Sequence, residues 1–155
     1  MSVDFIVEDG TSRNDSTSYA SVDQFRQYWT NRGVDYSTLS IDVIQAKLNL
    51  ATEYIDNSYR FAGHVSDSDQ ALEWPRYNVI GKRDLYIDND VIPDKLISAV
   101  CYMSAQSDLQ FVDDGITSES YGPVSTTYGR KYKIFTVVDN LLAEFLDRNR
   151  LVRVN

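Results

Sequence analysis

The stretch SIDVIQAKLNLATEYIDNSYR, residues 40–60, is the clearest element of the sequence. Its apolar side chains recur at steps of three and four residues, which is the spacing of one face of an α-helix. These side chains are Ile41, Ile44, Leu48, Ala51, Ile55 and Tyr59. Ser40 can cap the first turn, because a serine oxygen accepts a hydrogen bond from a free backbone N–H there. The pattern predicts a long amphipathic helix over 40–60.

Three further helices are predicted around this one. Ser21 and Gln24 form a capping box that begins a helix over about 21–32, and Gly33 suits the left-handed residue after its end. Pro93 begins a helix over about 93–110, since its missing N–H costs nothing in a first turn. A last helix is predicted over about 136–149, where a Thr-x-x-Asp pattern precedes an apolar face. The predicted fold class is mainly α, a bundle of about four helices.

Two other segments differ from this helical pattern. Residues 61–91 carry no sustained periodicity and predict a long irregular loop, which in a small domain normally has a functional role. Residues 117–128 are β-prone on both sides of a Gly-Pro dipeptide and predict a small β-hairpin. We expect a single helical domain over 1–149, followed by a short tail at 150–155.

Composition and charge exclude several classes of protein. The chain has 155 residues, of which 43% are hydrophobic and 25% charged, as in ordinary globular proteins. No apolar stretch is long enough to span a membrane. The net charge of −8 disfavours general nucleic-acid binding, which needs a cationic surface. The charge is uneven, because residues 1–115 hold 19 acidic and 9 basic residues, whereas 116–155 hold 4 and 6.

The sequence offers no catalytic set. Cys101 lies among apolar neighbours in a predicted helix, and His64 has no second histidine with which to share a metal or a proton. Asp88-Asn89-Asp90 begins like a calcium loop. Ile92, however, stands where the loop needs its next ligand, and Pro93 stands where the loop needs a glycine. We therefore predict that the protein is not an enzyme and holds neither a metal nor a cofactor.

The aromatic residues leave two interpretations open. The chain has 11 tyrosines and 2 tryptophans, several of them on or near the first two helices. They suit either the margin of the core or a subunit interface. Stacking of single-stranded nucleic acid would also need a basic groove, and in the sequence only Arg130, Lys131 and Lys133 offer one.

The tripeptide Trp74-Pro75-Arg76 is the one bulky, stiff motif of the 61–91 segment. Pro75 biases Trp74 towards an extended backbone, so that the indole can act as a rigid anchor. Arg76 can tie the loop to a carboxylate or to backbone carbonyls. We predict that these three residues are a structural clamp.

Several short motifs occur in a fixed order over residues 5–146. They are Val7-Glu8-Asp9-Gly10, Ser18-Tyr19-Ala20-Ser21, Ala51-Thr52-Glu53-Tyr54-Ile55-Asp56, Ala71-Leu72-Glu73-Trp74-Pro75-Arg76 and Ile92-Pro93. Together they resemble a family of tailed-phage head–tail connector (adaptor) proteins. Members of that family are often labelled DnaT-like single-strand DNA-binding proteins.

The resemblance implies a structural protein of the virion. Such adaptors form a ring, usually twelve-fold, beneath the portal at the head–tail junction, after assembly in the bacterial host cytoplasm. The implied partners are the portal protein, the next tail component (a stopper or nozzle protein) and other copies of the chain. DNA would pass through the channel of the ring without specific binding, and no membrane would be involved.

Two groups of residues acquire expected roles under this resemblance. The apolar and basic tail Arg150-Leu151-Val152-Arg153-Val154-Asn155 is expected to dock on the portal. The alternative is that Leu151 and Val152 cover the end of this domain's own core. Arg130, Lys131 and Lys133 are expected to face the channel or a neighbouring subunit.

Two other functions stay open. A single-strand DNA-binding or replication accessory protein would show salt-sensitive DNA binding. A small hydrolase with a metal on its carboxylates would lose activity on substitution of Asp88 or Asp90.

Overall fold

The computed structural model describes residues 2–106 and 136–147. The predicted long helix is present as α2, Ile41–Ser58, and the Oγ of Ser40 accepts the N–H of Val43 as its cap. Ile44, Leu48 and Ile55 are fully buried on its inner face. Ile41 is instead 53% exposed, because the apolar stripe leaves the core in the first turn.

Helices α1, Val22–Thr30, and α3, Asp94–Ser104, pack against α2. The capping box between Ser21 and Gln24 is present with both of its hydrogen bonds. The indole Nε1 of Trp29 donates to the carbonyl of Cys101 at 3.0 Å, which joins α1 to α3. The predicted starts of all three helices are confirmed to within about one residue. The predicted end of the third helix near 110 is wrong, because α3 ends at Ser104 and the N–H of Gln106 closes a turn on the carbonyl of Met103.

The last helix is shorter than the sequence predicts. Residues 136–142 are helical and run into a 3₁₀ turn at Ala143–Phe145. Leu146 is already extended and forms an antiparallel bridge with Phe61. The amide of Asp147 likewise donates to the carbonyl of Arg60 at 3.0 Å. A helix to 149 is wrong because these residues pair with the chain that leaves α2.

The predicted loop 61–91 contains two short antiparallel pairings. Strand β1, His64–Val65, pairs with β2, Arg76–Tyr77, and Ile80 is bridged to Tyr86. Two-residue strands are too short to show an alternating pattern, so the sequence does not reveal them. The mainly α class is confirmed. The hairpin predicted at 117–128 lies outside the described residues.

The buried carboxylate of Glu8 organises the polar segment that precedes α1. It accepts the backbone N–H groups of Gly10, Ser12 and Arg13 and the hydroxyl of Ser16, at 2.9 to 3.1 Å. A buried charge with four donors has the hydrogen bonds that it needs. The segment therefore has a fixed shape although it carries few apolar residues.

None of the helices in the described part of the chain is long and apolar enough to cross a membrane.

Candidate functional site

Trp74 is fully buried at the centre of the segment after α2. Its ring meets Phe61 and Phe145 edge-on, with centroids 5.5 and 5.4 Å away. Its backbone N–H donates to the hydroxyl of Tyr19 at 3.1 Å, and its peptide bond to Pro75 is cis. Trp74 thus touches segments that lie far apart in the chain.

Arg76 is also buried, with 7% of its surface exposed. Its guanidinium donates to the carbonyls of Ala62 at 2.8 Å and Gly63 at 3.0 Å. It also reaches the carbonyl and the carboxylate of Glu73, at 3.1 and 3.2 Å. These donors are engaged by the protein itself, so Arg76 has little left to offer a ligand. The role of Trp74, Pro75 and Arg76 as a clamp stays a prediction.

A polar cleft of about 510 Å³ lies beside this segment. In it, Asp56 accepts the hydroxyl of Tyr19 at 2.7 Å and the N–H of Glu73 at 3.2 Å. Burial raises the pKa of Asp56 to about 7, against the hydrogen bonds that favour its charged form. Both carboxylate oxygens already hold groups of the chain, which makes Asp56 a structural residue rather than a free acid or base.

The other residues that the sequence singles out do not converge on a catalytic centre. Cys101 is buried, and burial raises the pKa of its thiol to about 12, so the thiolate is scarce at neutral pH. His64 lies across β1–β2 against Tyr77, with ring centroids 5.3 Å apart. Within residues 2–106 and 136–147, no group of three or more His, Cys, Asp or Glu side chains is placed to hold a metal.

Residues 79–87 form a compact hairpin, called here the 79–87 hairpin. The N–H of Ile87 donates to the carbonyl of Val79, and the N–H of Gly81 donates to the carbonyl of Leu85, both at 2.9 Å. These two bonds place the ends of the hairpin side by side and fix the direction of its tip.

The tip of the hairpin is the three-residue turn Lys82-Arg83-Asp84. The N–H of Asp84 returns to the carbonyl of Gly81 at 3.0 Å, and Asp84 has a φ of 60°. Three-residue hairpin loops need a left-handed residue at this last position, and aspartate tolerates it better than most residues. The turn therefore presents Lys82 and Arg83 at an exposed, well-defined tip.

The hairpin carries the most exposed apolar residues of the described chain. Leu85 and Tyr86 are each 69% exposed. They border a groove of about 650 Å³ that lies between the hairpin and the start of α3. Lys82, Arg83 and Lys95 line the same groove together with Asp94 and Glu144, so the exposed tyrosine borders a groove whose charged side chains carry both signs.

Glu144 closes one side of this groove. One carboxylate oxygen accepts the ammonium of Lys95 at 2.7 Å, and the other accepts the backbone N–H of Lys82 at 2.8 Å. Burial opposes the charge, but these hydrogen bonds hold the pKa of Glu144 below its usual value. The 3₁₀ turn thereby attaches the hairpin to the body of the protein.

Sequence reasoning missed this groove. A turn signal was present, since Gly81-Lys82-Arg83-Asp84 is flanked by apolar and aromatic residues. Lys95 and Glu144, however, reach the hairpin only through the tertiary fold. The basic residues that the sequence favoured, Arg130, Lys131 and Lys133, lie outside the described residues, as does the tail 150–155.

A family model described as "Putative DnaT-like ssDNA binding protein" matches residues 3–155, nearly the whole chain. No curated protein and no solved structure matches the chain. The family description names a binding protein and not an enzyme, in agreement with the non-enzymatic function expected from the sequence.

This match corrects the assignment to head–tail connectors. That assignment is wrong, and with it the portal and tail partners and the DNA channel without specific binding, since the matched family is described by single-strand DNA binding. The physical reason is that the quoted motifs are structural: Glu8, Trp74 and Arg76 bond to their own chain, and such residues report a fold and not a partner. The virion location stays a prediction that no finding tests. By the match over residues 3–155, the chain belongs to the family of "Putative DnaT-like ssDNA binding protein" sequences.

Proposed function

We propose that this protein binds single-stranded DNA through the 79–87 hairpin and its groove. The observation that carries the proposal is the exposed ring of Tyr86 next to the cations of Lys82 and Arg83. The family description supports it independently.

The chemistry of the groove suits an unpaired strand. Proteins that bind single strands combine aromatic rings, on which bases stack, with cations that neutralise the backbone phosphates. Tyr86 supplies a ring that is already exposed, and Lys82 and Arg83 lie at the adjoining tip. The backbone hydrogen bonds of the hairpin fix the positions from which these side chains project before DNA arrives, which lowers the entropic cost of binding.

The net charge of −8 limits the strength of this binding and sets its preference. The charge repels any polyanion, so attraction has to be local and has to lose strength quickly as salt rises. A duplex hides its bases, so it gains less from a tyrosine ring. Its denser phosphate charge is also repelled more strongly by the acidic protein. We expect weak, salt-sensitive binding that favours single strands over duplexes.

Tyr86 provides the sharpest test. Fluorescence anisotropy with an oligothymidylate of about ten nucleotides at low salt measures the affinity. Tyr86→Ala is expected to weaken binding by roughly 5- to 150-fold, since stacking of one base contributes about 1–3 kcal/mol. Tyr86→Phe keeps the ring and is expected to bind like the original protein. Circular dichroism checks that both variants are folded.

The cations are tested by the salt dependence of the same binding. Lys82→Gln and Arg83→Gln are each expected to make the negative slope of log K against log salt shallower by about 0.7. Lys47→Gln makes the same charge change on α2, away from the groove, and is the matched control. The proposal fails if the original protein does not bind the oligonucleotide at low salt, or if Tyr86→Ala binds as well as Tyr86→Phe.

A further inference from the structure

Among the residues that the structure describes, Glu144 is an acidic side chain that bonds to two groups of the groove, the ammonium of Lys95 and the backbone N–H of Lys82. We propose that Glu144 is a positioning residue, which fixes the 79–87 hairpin and keeps Lys95 out of the set of cations that a DNA strand meets. The effect on DNA rests on the proposed function, whereas the positioning of the hairpin is measurable without DNA.

The contacts show how the hairpin is held. The carboxylate of Glu144 accepts the N–H of Lys82 at 2.8 Å, and these residues are 62 positions apart in the chain. Gly81 permits the approach, because a Cβ there would lie 3.1 Å from the same carboxylate oxygen. The side chain of Glu144 is only 16% exposed, which strengthens its hydrogen bond to the amide. The tip of the hairpin is thus fixed by its own backbone and leaves both basic side chains of the turn at the surface.

The second contact changes the charge that DNA meets. The ammonium of Lys95 lies 2.7 Å from the other oxygen of Glu144, although the lysine side chain is 47% exposed. A lysine that is already neutralised by a carboxylate contributes little to counterion release. Lys82 gives only its backbone N–H to Glu144, and that bond does not involve its ammonium. A strand in the groove therefore meets Lys82 and Arg83 as cations, and Lys95 as half of an ion pair.

Two substitutions separate the two roles of Glu144. In Glu144→Gln the amide oxygen still accepts the N–H of Lys82, but the negative charge is gone and Lys95 is released. This variant is expected to bind the oligothymidylate about 3-fold tighter at low salt, with a slope steeper by about 0.7. Glu144→Ala also releases Lys95 but no longer holds the hairpin, so its gain in affinity is expected to be smaller. Glu53→Gln, an exposed change of the same charge on α2, controls for net charge.

Hydrogen exchange supplies the readout that does not need DNA. In Glu144→Ala the amide of Lys82 loses its acceptor and is expected to exchange at least about 10-fold faster, whereas Glu144→Gln retains most of the protection. An unchanged exchange rate in Glu144→Ala would overturn the positioning role. Equal salt slopes for Glu144→Gln and the original protein would overturn the role of Lys95. If the original protein binds no DNA, the proposed function fails and the effect of Lys95 on DNA binding fails with it. If the exchange nevertheless changes as expected, the contact between Glu144 and the hairpin is purely structural.

Discussion

Trp74 shows how much of this domain depends on single residues. The indole lies between Phe61, which follows α2, and Phe145 of the 3₁₀ turn. We expect Trp74→Ala to lower the free energy of unfolding by about 3–5 kcal/mol, because it leaves a cavity between two aromatic rings. Chemical denaturation measures this loss, and Tyr77→Ala, at a tyrosine 42% exposed, is the control. A loss below about 1 kcal/mol would show that Trp74 is not a clamp.

Asp56 links the same region to pH. Burial raises the pKa of this carboxyl from 3.8 to about 7 in the folded protein. The folded state therefore binds the proton more tightly than the unfolded state, so this group lowers the stability as pH rises from about 4 to about 7 and has no further effect above that range. The groups that face it are Tyr19, Glu73 and Arg76, and together they moderate the effect of burial without reversing it.

The test compares the pH dependence of stability in two asparagine variants. Asp56→Asn cannot titrate, yet its amide can still meet Tyr19 and the N–H of Glu73. We expect this variant to be more stable relative to the original protein at about pH 8 than at about pH 5, measured as a larger difference in the free energy of unfolding. Asp42→Asn makes the same chemical change at an exposed position of the same helix and is the matched control. Parallel pH profiles for Asp56→Asn and the original protein would contradict the prediction.

At the scale of elements, the helices could be read from the sequence and the short pairings could not. The stripe in α2 and the caps at Ser21 and Ser40 are local signals, because each depends on residues within one or two turns. The 79–87 hairpin has local signals too, but its strands are so short that the turn at Lys82-Arg83-Asp84 is their only clear mark. The alternation of apolar and polar residues identifies a strand only over several residues, so it cannot identify strands as short as these.

The candidate site was beyond sequence reasoning for a related reason. Its parts come from three places: the hairpin, Lys95 at the start of α3 and Glu144 of the 3₁₀ turn. The last helix was predicted to continue to 149, which would have placed Glu144 in a helix interior and not in a turn. Only the pairing of Leu146 with Phe61 explains why the chain turns where it does and brings Glu144 to the hairpin.

At the scale of the whole molecule, the proposed DNA binding requires this acidic protein to separate its charges. The chain carries −8 overall, and its basic residues are enriched after residue 115. The hairpin therefore supplies cations in a region that is acidic on average. Long-range repulsion by the rest of the surface acts within about 10 Å at 0.1 M salt, so the balance shifts with ionic strength.

The arginines at the end of the chain provide a test of this balance. Arg148, Arg150 and Arg153 follow directly after Asp147, the last described residue, and their loss would change the net charge from −8 to −11. Replacing all three with glutamine is expected to weaken oligothymidylate binding several-fold at low salt and to reduce the salt slope. Replacing all three with lysine keeps the charge and should preserve both values, because the expected effect is electrostatic and not a matter of guanidinium geometry. Chemical denaturation of both variants checks that a change in affinity does not come from a loss of the fold. Equal affinities for the glutamine and lysine variants would show that these three arginines do not contribute to binding.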